Sequence, residues 1–455
     1  MKPIQQDSLD KIKIMPLIAL CVGFFLVMMD VTVINVVVPK IGKYINADLF
    51  QMQWIVDSYT LSFACLLLTS GYLADRFGSR SIFILGLFVF VLFSFFCGII
   101  REPFELIIFR SLQGIGAALV VPTSLSLINA IHSDKKLRAR AIGIWGAVAG
   151  IAAALGPVLG AFLTSFLSWR TVFFINIPIG ILGVLFTFKF VPDFLRKPRG
   201  SFDLFGQLMG ILCIALLAYS LIEIGKFGWF SETVIISFLL FLVTFIIFLT
   251  IEILSFSPMF PLNFFKSSAF SIPVLIGMVL NIGFYGTLFI LPLYFQELRG
   301  YSVLMTGLAV LPLVGLGGLG AYLGGKISAL YGPKLTMQLG LILGGVGFFI
   351  LLIVQKNTPE YYLLLFPMMC ISFGSAFTMP AATVATIHAV PEGNSGLASG
   401  TLNASRQIGS LIGVAIFGSV ISVSQEFISG VHITLVIAGS LFLLGSLVVF
   451  SMLKK

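Results

Sequence analysis

Three ionisable side chains, Asp30, Asp57 and Arg110, stand inside long apolar runs of this sequence. Holding an Asp, Lys or Arg at the centre of a lipid-spanning helix costs about 2.5–3.5 kcal/mol on insertion scales, so such groups are kept where charge must be bound or moved. At 1.5 Å per helical residue, Asp30 lies about 13 Å from the end of its run at Pro39, and Arg110 and Asp57 about 8–9 Å from the same membrane face. All three fall in one half of the membrane, at depths that permit contact in one cavity. Two acids with one base form a set that can exchange a proton: the arginine stabilises a carboxylate, and the second acid and burial oppose it. Arg110, Gln113 and Gly114 share one helical face by their spacing. Asp57 follows Trp54 by three residues on one face, and reads either as part of that site or as a solvated acid near the surface. Arg406 is the only basic residue well inside an apolar run of the second half, with no acid beside it. It pairs with a substrate or with the first half, or it anchors packing.

The elements that position these residues are membrane-length helices. Apolar residues make up 58% of the chain and charged ones 10%, against about 25% charged in soluble domains. Fourteen runs reach the roughly 20 residues that a span needs: 17–39, 52–73, 82–100, 104–130, 140–166, 170–191, 206–224, 232–254, 269–295, 303–326, 334–354, 361–387, 397–423 and 431–452. Lipid offers no partner for open backbone groups, so an all-α bundle follows, and the alternation of a membrane β-barrel is absent. The net charge of +9 is distributed by side: eighteen basic residues fall on the side of the termini and seven on the other. That bias encodes orientation, with both termini cytoplasmic, and calls for no nucleic acid. No cleavable signal pattern precedes the first run.

Between the second and third runs lies Gly71-Tyr-Leu-Ala-Asp75-Arg76-Phe-Gly78-Ser-Arg80, a charged turn that fixes a tight hairpin at the membrane surface. The chain also repeats itself. Gly71 and Gly78 recur at Gly325 and Gly332, offset by 254; Gly116 and Pro122 recur at Gly374 and Pro380, offset by 258; Gly143 and Gly156 recur at Gly400 and Gly413, offset by 257. Helices 1–6 and 9–14 therefore read as two related bundles, with helices 7 and 8 inserted after the basic link Pro192–Arg199. The implied division is a tail over 1–16, a first bundle over 17–199, an inserted pair over 200–265 and a second bundle over 266–455.

These segments resemble the major facilitator superfamily, and within it the fourteen-helix drug:proton antiporters. The Gly71–Arg80 turn resembles the loop pattern G-x-L-A-D-R-x-G-R-[KR], with Ser79 at the first terminal basic position. Asp30-Val-Thr-Val-Ile-Asn35-Val-Val-Val-Pro39 resembles the helix 1 motif D-x-T-[IV]-[VI]-N-[VI]-A-[LV]-P, with Val37 for alanine. Arg110-Ser-Leu-Gln113-Gly114-Ile-Gly116 matches R-x-x-Q-G-x-G. In helix 5, Gly156, Pro157 and Gly160 resemble the antiporter motif G-x-x-x-G-P-x-x-G-G, with Ala152 and Ala161 at two glycine positions; the same residues also fit a plain small-residue packing face. Helix 13, from Ser395 through Asn403, Arg406 and Gln407 to Gly409, is similar to the same family.

The resemblance implies a cavity between the halves that opens to alternate sides. It implies Asp30, Arg110 and Asp57 as the proton-coupling set. Asp30, Asp57, Tyr59, Asn281, Tyr285, Gln296 and Arg406 become candidates to touch the cargo, and Gly71, Asp75, Arg76, Gly78 and Arg80 a conformational loop. Asp75 would cap the N-terminus of helix 13 when the carrier faces outward. The expected function is proton-driven export of small lipophilic compounds, cationic or neutral, across the inner or plasma membrane by a monomer, with no cofactor beyond the proton gradient. An exporter of one endogenous metabolite or siderophore is the alternative. An enzyme is not expected: Gly315-x-Gly317-x-x-Gly320 lacks the strand of a dinucleotide site, and Ile327 stands where a phosphate loop needs Ser or Thr. His132, His388 and His432 form no metal set, and Cys21, Cys65, Cys97, Cys213 and Cys370 lack metal spacing and read as small core residues.

Overall fold

In the computed structural model of the chain, residues 12–132, 134–194, 203–255, 262–355, 360–391 and 394–452 are described. The tail through residue 11, the part of the link from 195 to 202 and the stretch 256–261 ahead of the second bundle lie outside them. Fourteen helical columns follow: α1 (Ile14–Ile45), α2 (Leu49–Phe77), α3 (Ser79–Ile99), α4 (Pro103–Ile131), α5 (Lys135–Phe166), α6 (Thr171–Phe190), α7 (Leu204–Phe227), α8 (Glu232–Leu254), α9 (Ser268–Leu298), α10 (Val303–Ala309, Leu311–Gly315 and Gly317–Tyr331 in succession), α11 (Pro333–Ile353), α12 (Tyr362–His388), α13 (Ser395–Val423) and α14 (Phe427–Met452). Among the described residues thirteen stretches are long and apolar enough to cross a membrane. The fourteenth column, α2, falls outside that set because it carries Gln51, Gln53, Asp57, Ser58 and Thr60 in its first half. Its polarity marks a helix that faces protein more than lipid.

Local chemistry sets the ends. Asp48 and Gln51 form a reciprocal capping box at the start of α2, with Gln51 N donating to Asp48 Oδ1 at 2.7 Å and Asp48 N donating to Gln51 Oε1 at 3.1 Å. Pro103 opens α4, where its missing N–H costs nothing. Gly78 and its repeat partner Gly332 take φ of +94° and +87°, each joining two helices with no loop between them. Only glycine enters that region freely.

One boundary differs from the sequence reading. The first run was expected to end at Pro39, but α1 continues through it to Ile45. Proline is tolerated within a spanning helix because neighbours re-satisfy the freed backbone groups. Asp30 therefore sits at mid-helix, deeper than the run length implied.

The two bundles repeat their packing. In the first, α1 packs on α4, α5 and α6, and α4 on α2 and α3; in the second, α9 packs on α12, α13 and α14, and α12 on α10 and α11. The halves meet along two seams, α2 with α13 and α5 with α10. Gln53 of α2 donates to Ala415 O of α13 at 2.9 Å, and Gln296 of α9 to Val36 O of α1 at 2.9 Å. A Cβ at Gly307 of α10 would collide with Ala161 and the Pro157 carbonyl of α5. All these contacts lie at the end away from the chain termini, which is closed. At mid-helix Gly150 of α5 still lies against Gly318 of α10, and beyond it, toward the other end, a Cβ at Gly143 or Gly146 of α5 would meet nothing within 4 Å. On the side of the termini α5 therefore has free space beside Gly143 and Gly146.

The inserted α7 lies across the α2–α13 seam and touches both halves. Gln207 Nε2 donates to Cys65 O of α2 at 2.8 Å, and Thr69 Oγ1 donates to Gln207 Oε1. At the opposite end, Ser419 Oγ of α13 donates to Leu221 O at 2.7 Å. α8 packs on α7 and turns an apolar face outward, with Phe238, Ile246 and Ile253 exposed.

Candidate functional site

The polar centre of the first half is built from five helices. Arg110 Nη1 of α4 donates to Asp30 Oδ2 of α1 at 2.5 Å, and both side chains are almost wholly buried. The same nitrogen donates to Gln113 Oε1 at 2.8 Å. Gln113 Nε2 and Asn176 Nδ2 of α6 each donate to Asp30 Oδ1 at 3.2 Å. Ser94 of α3 accepts from Asn176 at 2.9 Å and from Gln113 at 3.3 Å, and donates to Phe173 O at 3.0 Å. The guanidinium carbon of Arg110 stands 4.2 Å from the ring centre of Tyr59 of α2, a cation–π contact that strengthens when desolvated. Asp30 thus accepts three hydrogen bonds, and one of its donors carries a compensating charge. Removing one partner of such a buried pair costs about 3–5 kcal/mol.

Glycines bring these helices close enough. A Cβ on Gly114 would strike the Tyr59 carbonyl of α2, and one on Gly116 would lie 2.6 Å from Phe90 N of α3. Gly156 of α5 lies against Thr32 and the Met29 carbonyl, and Gly160 against Val33, so α5 packs on the turn of α1 that carries Asp30. Pro157 and Ala161 face α10 of the other half. The helix 5 residues therefore touch both the site and the seam.

Asp57 stands apart. It is fully buried, and neither carboxylate oxygen has a hydrogen-bond partner among the described residues. Of the two acids and one base inferred from depth, Asp30 and Arg110 pair, while Asp57 makes no hydrogen bond to either among the described residues, although Arg110 Nε donates to Ile55 O of the same helix at 3.4 Å. The surface-acid alternative also fails, because α2 begins at Leu49 and buries the residue a further turn inside.

The other candidates scatter. Tyr59 is buried against Arg110, with its hydroxyl unpartnered among the described residues. Tyr285 of α9 packs against the apolar cores of both halves and lies within electrostatic range of Tyr59 and Arg406. Arg406 donates to Asn403 Oδ1 one turn back at 3.1 Å, while its Nε has no partner among the described residues. Asn281 donates to its own helix at Gly277 O, 2.8 Å. Gln296 holds the closed end rather than a cavity. In the loop, Arg80 Nη2 donates to Phe188 O at 2.7 Å, binding the loop to the last turn of α6, and Arg76 Nη1 donates to Tyr72 Oη at 3.1 Å. Asp75 is half-buried, and Gly71 has open space beside it.

The second half lacks the pair. The repeat offset of 258 carries Arg110 onto Met368. Gly156 and Gly413 press on the equivalent carbonyls of Met29 and Ile282, so Asp30 falls on Gly283. There the edge-on pair Phe348–Phe442, with centroids 5.0 Å apart, fills the space beside Gly283.

A family model described as Major Facilitator Superfamily matches residues 20–414 and, in a second match, 316–454. The chain belongs to the Major Facilitator Superfamily. This facilitator chain is 34% identical over 447 residues to a methylenomycin A resistance protein of Bacillus subtilis, covering 98% of this chain and 95% of that one. It is 31% identical over 437 residues to a methylenomycin A resistance protein of Streptomyces coelicolor, covering 96% and 92%. A multidrug resistance protein Stp of Mycobacterium tuberculosis is 32% identical over 414 residues, covering 91% and 77%. Among solved structures, a bacterial homologue of the human lysosomal transporter Spinster, in an inward-facing and unoccupied conformation, superposes with a TM-score of 0.67 at 17% identity, covering 98% of this chain and 99% of that one. That likeness is one of fold. This Major Facilitator Superfamily member is a multi-pass membrane transporter and not an enzyme.

Sequence reasoning left Asn176 and Ser94 out of the site. The signal was present: Asn176 is a polar residue in an apolar run, two residues before Pro178, and it sits where α6 is interrupted at Ile175. Ser94 carried no such mark.

Proposed function

We propose that this transporter is a proton-coupled antiporter that exports small lipophilic compounds, cationic or neutral, by alternating access. The observation that carries the reading is the buried Asp30–Arg110 pair, kept at high cost in one half while the other half has Gly283 and Met368 in its place. A proton on Asp30 cancels the charge that Arg110 compensates and frees the guanidinium to Gln113 and the face of Tyr59. α1 and α4 then hold each other less tightly, and α1 carries this change to α5, whose Pro157 and Ala161 meet α10. Proton binding is thereby coupled to the seam that must open. Asp57 is the second acid, and a cationic cargo would supply the partner it lacks among the described residues. Tyr285 and Arg406 are the second half's contributions, with Arg406 serving either cargo or packing. The termini lie in the cytoplasm by the distribution of basic residues, the membrane is the plasma membrane, and the unit is the monomer. The proton gradient is the only energy source.

Purified protein in detergent should release protons when lipophilic cations are added, and Asp30→Asn should abolish the release. Folded protein that releases none with any cation would sink the cationic reading. A narrower reading, export of one compound, has its own support in the two methylenomycin A resistance proteins that align over almost the whole chain. Cargo breadth separates the two: a transporter that protects cells against a single compound in a chemically diverse panel fits the narrow reading.

A further inference from the structure

We propose that a groove on the outside of the first half holds one anionic glycerophospholipid, with an acyl chain on α1 and its phosphate at Arg140. The groove is a cavity of about 810 Å³ between α1, α5 and α6, on the side of the termini. It is separate from the polar centre at Asp30, none of whose network residues lines it. Its walls are apolar: Cys21 and Phe25 from α1, Ile144 and Val148 from α5, and Ile179 from α6 are typical. Arg140 is the one charged side chain lining it among the described residues.

Three features select the occupant. The first is polarity along the groove. Arg140 stands near the start of α5, toward the end that carries the chain termini, and the walls become wholly apolar toward Phe25 and Val148 further along the helices. A molecule with an anionic head and an apolar tail matches that gradient, while a polar solute finds no partner beyond the rim. The second is length. The groove follows α1 from its start at Ile14 to Phe25, about 17 Å at 1.5 Å per residue, which suits a head and tail spanning one leaflet of a roughly 30 Å hydrocarbon core. The third is the free charge. Arg140 is exposed and enters no ion pair among the described residues, and Lys13 lies exposed beside the same mouth. Basic side chains at a membrane surface attract anionic headgroups.

Native mass spectrometry of the full-length protein, supplied with equal phosphatidylglycerol and phosphatidylcholine, tests the assignment. One phosphatidylglycerol should be retained preferentially, and Arg140→Gln should lower the preference by about five-fold. Ile144→Trp, a change at an exposed wall position, should reduce retention of both lipids by filling the groove. Lys334→Gln, a basic residue of the second half, should leave the preference unchanged. Equal retention of the two lipids by the wild type would overturn the proposal. So would a preference that survives Arg140→Gln, or retention that survives Ile144→Trp.

Discussion

At the scale of single residues, the pair Asp30–Arg110 and the lone Asp57 make opposite predictions. Arg110→Met leaves the Asp30 carboxylate buried with only neutral donors, and should destabilise the protein by about 3–5 kcal/mol. Adding Asp30→Asn to Arg110→Met should recover most of that loss, because Asn keeps, without a charge, the one oxygen to which Gln113 and Asn176 both donate. Thermal unfolding in detergent reads the stability. Efflux in cells should stay absent in both variants, so that recovered folding without recovered transport assigns the pair to coupling. Asp57→Asn removes an acid that has no partner among the described residues. It should leave the unfolding temperature unchanged or higher, while resistance to cationic compounds falls. A fall in the unfolding temperature would mean that Asp57 holds the fold together.

At the scale of elements, glycine placement decides which helices can approach. Gly156 presses on α1 beside Asp30. Gly156→Val should therefore push α5 away, costing about 1–3 kcal/mol by overpacking and abolishing proton release on drug addition. In the loop, Gly78 and Gly71 separate two roles that the sequence alone groups together. Gly78 has φ of +94° and Gly71 has open space. Gly78→Ala should cost about 1–3 kcal/mol through backbone strain, and Gly71→Ala should be silent in unfolding measurements. Any effect of Gly71→Ala on transport would then belong to another conformation, in which the loop closes on its neighbours.

At the scale of the whole molecule, the closed end rests on few polar ties between the halves, among them Gln53 to Ala415 and Gln296 to Val36. A neutral hydrogen bond contributes about 1 kcal/mol net. Gln53→Leu should accordingly shift the equilibrium about five-fold away from the form closed at the far end. Spin labels at positions 143 and 317, on the open faces of α5 and α10, should report a larger population at short distance. An unchanged distance distribution would show that apolar packing alone closes the far end. The inserted α7 is tied to α2 near one end and to α13 near the other. Movement across that seam has to slide these ties, whereas the α5–α10 seam has no such cover.

The amino-acid sequence by itself determined the class, the number of columns, the repeat and three of the buried charges, Asp30, Asp57 and Arg110; Glu223 and Glu252, which read as acids at span ends, are buried as well. Each of these depends on local properties: run length against bilayer thickness, recurrent glycines at a constant offset, and ionisable groups where lipid penalises them. It also placed Gly78 at a turn, because a charged hairpin tip between two spans leaves no other geometry. Tertiary structure alone decided which of three charges pair. Depth along a helix says nothing about azimuth, and Asp57 lies at a fitting depth yet outside the network. The same limit hid Asn176 and Ser94, whose roles arise only where α6 and α3 converge on α1. Pro39 reads as a stop from sequence because water-exposed helices break there; packed neighbours and the low-dielectric surroundings let α1 run on, and Asp30 is centred in the helix as a result.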